Sequence, residues 1–163
     1  MSGNGERIVV GVADFAASAD DTVSLVTHAL GSCLGIMVHD PVARVGAMLH
    51  VMLPDSSIDS AKATTSPMMF VDTGVPRLFR EAYKLGAVKE RLVVTVAGGA
   101  AVQGGPDVFE IGKCNMIALE KILRANNVMI NGHDVGGTVS RTVTLSVGTG
   151  EVKVRTDGAE TTL

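Results

Sequence analysis

Residues 45–53, Val-Gly-Ala-Met-Leu-His-Val-Met-Leu, run for nine positions with one polar side chain among them and stop at Pro54. The run shows no alternation of apolar and polar positions, which predicts a strand covered on both faces rather than one lying at a surface. A fold with such a strand needs a layer on each side of it. His50 is thereby placed in apolar company.

The neighbouring segments supply the layers. Residues 7–13, 23–27 and 34–39 read as strands, with a turn over 40–44 in which Pro41 sets φ. Residues 55–66, rich in Ser, Thr and Ala, have no clear period and are expected to form an exposed loop; a loop in that place can gate a site on the preceding strand. Ser66 and Pro67 read as the cap and first residue of a helix reaching Gly86, since Met68, Val71, Val75, Leu78, Phe79 and Ala82 recur at helical spacing. Pro76 should kink that helix or restart it. A strand over 91–97 leads into the glycine-rich loop 98–106, and a second helix is predicted over 112–126. The chain closes with β structure at 128–135, 142–147 and 151–155, the last two joined by a Gly-Thr-Gly turn. Strands and helices do not alternate, so a doubly wound parallel sheet is not expected. The reading is an α/β (α+β) domain of mixed sheets with flanking helices.

At 163 residues the chain is expected to be one domain, 1–163, with flexible termini at 1–6 and 156–163. Fourteen basic residues against seventeen acidic ones, no basic run and 3% aromatics argue against nucleic acid. The first residues lack the order of a signal peptide and no apolar run has the length of a membrane span. The expectation is therefore a cytoplasmic protein without membrane insertion. The two cysteines, Cys33 and Cys114, read as free thiols, and no Cys/His spacing suggests zinc.

Cys33 follows Gly31 and Ser32 between two predicted strands. A thiol needs a base or a positive neighbour to attack a carbonyl. Four histidines are available, and spacing alone does not choose among them. His39 and His133 lie beside turns and read as solvated, His28 should point away from Thr27 along a strand, and the buried setting of His50 favours it. A third group would orient the imidazole, and the Thr27 hydroxyl is one weak option. Backbone N–H groups around Gly31, Ser32 and Cys33 could receive an oxyanion, with the Ser32 hydroxyl as a further donor. Against this, a cysteine in an apolar segment is ordinarily packing, as are a lone histidine in a buried strand and the Met-rich runs at 48–52 and 68–69. Composition and pattern stop at an α/β domain with a reactive-thiol candidate.

Thr27, Leu30, Gly31, Ser32 and Cys33, followed by Asp40-Pro41, Val45-Gly46 and the run from His50 to Pro54, resemble the chemoreceptor glutamine deamidases of the CheD family. The likeness continues in order through Val71-Asp72, Pro76, residues 84–87, 98–100, Ile111-Gly112, Asn115, residues 134–137 and Arg141. It implies a central β sandwich of mixed sheets flanked by helices, similar to bacterial toxin deamidases that use Cys and His. It implies Cys33 as nucleophile, His50 as general base and acid, and Thr27 as the hydroxyl orienting His50. The implied reaction converts receptor glutamines to glutamate through a Cys33 thioester, with no metal or organic cofactor. The implied partners are the cytoplasmic domains of chemoreceptors and a CheC-type phosphatase. Glutamyl methylesterase chemistry is open to the same thiol. Two competing readings are a non-catalytic docking module for the same partners and a thiol amidohydrolase acting on a small molecule.

Overall fold

A computed structural model describes residues 5–101 and 110–163. Among these residues ten strands form two five-stranded sheets. The first is ordered β1 (Arg7–Val9), β3 (Ser24–Leu30), β8 (Arg141–Ser146), β9 (Val152–Thr156) and β10 (Ala159–Thr162). The second is ordered β2 (Asp14–Ser18), β5 (Val45–Val51), β4 (Leu34–Asp40), β6 (Val93–Gly98) and β7 (Gly132–Val135). Each sheet is mixed: β1 runs parallel to β3 and β6 parallel to β7, while the other pairs are antiparallel.

Period-two alternation divides the side chains between two cores. On β4 and β5, Leu34, Ile36, Val38, Val45, Ala47, Leu49 and Val51 face the helices, where Val75, Leu78, Leu119 and Leu123 meet them. The alternate positions Met37 and Met48 face the other sheet and pack with Leu25, Val143, Leu145, Val152 and Val154. The layers are thus sheet, sheet, helices, with β5 buried at all seven positions, as its unbroken apolar run predicts. The sandwich and its mixed sheets agree with the expected class; the long helices cover one sheet only.

Helices α1 (Ser60–Thr65), α2 (Val71–Lys84) and α3 (Ile111–Ala125) occupy the connections. The segment read as an exposed loop contains a 3-10 turn at Ser56–Ile58 and then α1, each capped by an aspartate: Asp55 Oδ1 accepts from Ser57 N and Asp59 Oδ1 from Lys62 N. No periodicity reveals such short pieces, because none of their residues is buried. The helix expected from Ser66 begins instead at Val71, after a 3-10 turn at Pro67–Met69, and it passes through Pro76 without restarting. Val71, Val75, Leu78, Phe79 and Ala82 are buried along one stripe. At roughly 1.5–3 kcal/mol for each large side chain, their burial outweighs the ~3 kcal/mol cost of an internal proline.

Two further differences arise at chain reversals. The strand read over 7–13 ends at Val9. Ala13, at φ 58°, then turns the chain across to the second sheet as β2. The tail expected to be flexible from 156 pairs as β10, with Ala159 opposite Thr156 and Thr162 opposite Lys153. Its four residues are all exposed, so it lacks the apolar signature of a strand. The glycine-rich loop 98–106 lies outside the described residues from 102 onward.

Candidate active site

Cys33 stands where the chain crosses from one sheet to the other. β3 bulges between Thr27 and Leu30, with Ala29 at φ 56°, and Gly31, Ser32 and Cys33 form the bend that leads into β4 of the second sheet. All three carbonyls of that bend are held. Gly31 O accepts from Ala100 N at 2.8 Å, Cys33 O from Gly99 N at 2.9 Å, and Ser32 O from Asn115 Nδ2 at 3.0 Å. Gly98, at φ 109°, approaches so closely that a Cβ there would lie 2.2 Å from Cys33 O, a contact only glycine allows. Cys33 is half-buried and packs against the inter-sheet core.

His50 lies on β5 directly opposite Gly35 of β4. Gly35 is two residues beyond Cys33, so both positions fall on the inter-sheet face and His50 and Cys33 are diagonal neighbours. A Cβ on Gly35 would crowd Leu30 Cδ1 at 2.9 Å and stand 3.6 Å from Thr27 Cγ2, so the missing side chain keeps this corner open. Thr27 reaches the same corner from the first sheet, fully buried.

The hydrogen bonds assign the imidazole tautomer. Thr27 Oγ1 lies 2.8 Å from Val10 O and 2.7 Å from His50 Nδ1. A carbonyl only accepts, so the single hydroxyl hydrogen goes to Val10. The hydrogen between Oγ1 and Nδ1 must then come from the ring, which leaves Nε2 as a bare acceptor. Nε2 is buried and has no hydrogen-bond partner among the described residues. Burial pushes the His50 pKa down. Burial also pushes the Cys33 thiol up, partly offset by its own backbone N–H. The resting pair is therefore a neutral thiol beside a neutral imidazole with a free lone pair, an arrangement suited to general-base activation of the thiol.

Thr27, Cys33, His50 and the bend at Gly31 and Ser32 are thus brought to one corner of the sandwich. The other histidines are not. His28 and His133 are exposed. His39, expected to be solvated, is buried instead, its Nε2–H donating to Val147 O at 2.7 Å, because the turn beside it is roofed by the Gly148–Gly150 hairpin. Cys33 and Cys114 form no disulfide. Sequence reasoning assigned no role to three groups that shape the site. They are the Val10 carbonyl, Asn115, and Arg141, which donates to Gly98 O and Gly136 O and pairs with Asp134. For Asn115 and Arg141 the available signal is a polar residue on an otherwise apolar stripe; a backbone carbonyl leaves none. Among the described residues no group of His, Cys, Asp and Glu is arranged to hold a metal ion, and no helix is long and apolar enough to cross a membrane.

Comparison with known proteins adds the lineage. The family model for CheD, described as chemotactic sensory transduction, matches residues 52–156. A protein of Syntrophus aciditrophicus named as a probable chemoreceptor glutamine deamidase CheD 1 is 46% identical over 93% of this chain and 94% of its own. Probable chemoreceptor glutamine deamidases of Solibacter usitatus and Anaeromyxobacter dehalogenans are 45% and 43% identical, over 95% and 91% of this chain and 92% and 93% of theirs. Among solved structures, a Neisseria meningitidis protein of family model DUF152 covers 80% of this chain and 63% of its own at 12% identity. Its TM-score of 0.42 is too slight a likeness to bear on function. The family model spans more than half of the sequence, and these relatives match nine-tenths of it at 43–46% identity: the chain belongs to the CheD family.

Proposed function

We propose that the protein is a chemoreceptor glutamine deamidase in which Cys33 is the nucleophile, His50 the general base and acid, and Thr27 the group that orients His50. The observation that carries the reading is the unpartnered Nε2 of His50, made an acceptor by the Val10–Thr27–Nδ1 chain of hydrogen bonds. The names of the close relatives supply the substrate class.

In the proposed reaction Nε2 takes the thiol proton as Sγ attacks the side-chain amide carbon of a receptor glutamine. The thiol–imidazole hydrogen bond forms at this step. The carbonyl π electrons move to oxygen, and the resulting oxyanion is received by N–H groups of the bend at Gly31, Ser32 and Cys33, whose carbonyls are already committed elsewhere. The imidazolium returns its proton to the leaving nitrogen, the C–N bond breaks, and ammonia departs from a thioester. Water then attacks the thioester with His50 as base. Cleavage of the C–S bond yields glutamate and restores the thiol. No step calls for a metal or an organic cofactor. A glutamyl methyl ester offers the same carbonyl with methanol as the leaving group, so methylesterase activity is part of the proposal.

We place the protein in the cytoplasm, where the cytoplasmic domains of chemoreceptors would meet it, and take a CheC-type phosphatase as its partner on the strength of the family. Incubating a folded receptor cytoplasmic fragment with the protein and mapping masses tests the chemistry. Wild type should convert glutamine to glutamate at discrete sites, Cys33→Ala should convert none, and Cys33→Ala should still capture the phosphatase. Conversion that persists in Cys33→Ala removes the thiol from the mechanism. A wild type that leaves the fragment unchanged yet captures the phosphatase favours the docking module.

A further inference from the structure

The nucleophile and the base stand on different segments, and one side chain outside both ties those segments together. Asn115 lies on the buried stripe of α3 with Gly112, Leu119 and Leu123. Its Nδ2 donates to Ser32 O at 3.0 Å and to Met52 O at 3.0 Å. A primary amide nitrogen carries two hydrogens, so both are spent, one on the residue before Cys33 and one on the second residue after His50. Its Oδ1 is buried without a partner among the described residues. A leucine, branched like asparagine, would continue the stripe without the orphaned Oδ1 but would strip Ser32 O and Met52 O of their donor, so the amide is poorly explained as packing and well explained by its two donors.

We infer that Asn115 is a positioning residue, a two-point clamp that sets how closely the Cys33 bend approaches the His50 strand. The inference rests on the proposed roles of Cys33 and His50. Three features make the clamp stiff. Gly112 lets α3 seat directly on the loop behind the bend, since a Cβ there would meet Gly99 C and O at 2.5 Å. Gly99 and Ala100 hold the bend from the same side. Met52 is itself fixed, its N–H donating to Met69 O at 2.8 Å. A shift of about 1 Å between reacting groups costs on the order of 100-fold in rate, so loss of the clamp should appear in turnover more than in substrate binding.

The test uses the full chain with Asn115→Leu, which removes both donors, and Asn115→Asp, whose carboxylate presents only acceptors to two carbonyls. Folding is checked by thermal melting. Two readouts follow: kcat and KM on a receptor fragment, and the titration of the His50 ring by NMR, which needs no substrate. Asp14 pairs with His50 in register across β2 and β5, and Cys33 packs in the same inter-sheet core; both variants leave these two groups unchanged, and because Asn115→Asp adds a carboxylate the titration is read on Asn115→Leu. We expect kcat to fall about 100-fold with KM within about threefold. The His50 midpoint should also rise toward that of a solvated histidine as water enters the corner. A folded variant with wild-type kcat and an unmoved titration overturns the clamp. If wild type itself does not deamidate while Asn115→Leu shifts the titration, the clamp stands and the deamidase reading falls. Should both variants fail to fold, the wild-type side-chain amide of Asn115 decides by NMR. Slow hydrogen exchange and a resonance shift on alkylation of Cys33 support the clamp, and rapid exchange overturns it.

Discussion

The hydroxyl of Thr27 has one hydrogen and two neighbours, and that shortage determines which nitrogen of His50 can act as a base. Thr27→Val keeps the shape and removes the oxygen, leaving Val10 O and Nδ1–H without partners. Turnover should drop about 10- to 100-fold, a fraction of the 10²–10⁴ that a general base itself supplies. Thr27→Ser should restore most of it, and steady-state kinetics on a receptor fragment measures both. Burial lowers the His50 pKa, so the ring stays neutral to a lower pH than a solvated histidine. The base works only unprotonated. Activity should therefore be lost as pH falls through a midpoint below 6.5, and should hold through neutrality, because burial keeps the Cys33 thiol protonated above its ordinary value of 9.0. A pH profile of kcat/KM whose acid limb is centred at or above 6.5 would rule out a desolvated base. Cys33 and His50 could be picked out as candidates from their neighbours in the sequence, with the Thr27 hydroxyl as one option for orienting the ring, but the Val10 end of the hydrogen-bond chain could not. It depends on a backbone carbonyl seventeen residues from Thr27, and no residue type marks such an acceptor.

Strand β4 is anchored at both ends, by the held bend at Cys33 and by Asp40 at its far terminus. The Asp40 side chain is fully buried. It takes the Arg91 guanidinium at 2.8 Å and accepts from the backbone N–H groups of Val42, Ala43 and Val88. Arg91 foremost, against the cost of burial and with help from those N–H groups, holds the carboxyl well below the usual carboxylate range. A depressed folded pKa contributes stability that is complete above the unfolded value near 3.8 and is lost as pH falls from there toward the folded value. Asp40→Asn should cost about 2–4 kcal/mol at neutral pH, the lower part of the range because Arg91 is partly open to water, and should flatten the acid limb of stability. Urea titrations at pH 7 and pH 3 check both statements. At this scale the sequence was legible wherever burial wrote a period. The strands β4, β5, β6, β8 and β9 and the helix α3 lie close to where apolar spacing puts them. Segments without a buried face, such as α1 and β10, were not legible, because capping and edge pairing leave no apolar pattern. Pattern allowed a kink or a restart at Pro76 and did not choose between them, since the contacts that carry α2 through the proline are tertiary.

For the whole molecule, layers were predictable from a strand apolar on both faces, whereas the pairing of the layers was not. The order β2-β5-β4-β6-β7 brings together strands far apart in sequence, and the sandwich was reached through family resemblance rather than through periodicity. The corner that holds the site belongs to neither sheet. Thr27 comes from one, His50 from the other, and Cys33 from the crossing between them, with Arg141 of β8 reaching across to Gly98 and Gly136. On the proposed roles of these residues, the chemistry acts as a gauge of the spacing between two slabs. A change that lets the slabs slide or part by a fraction of a bond length leaves every strand hydrogen-bonded and every spectroscopic sign of folding in place. On the proposed mechanism it would nonetheless slow turnover. What selection on turnover must preserve in such a molecule is the mortar between the sheets, including apolar contacts remote from any reacting atom.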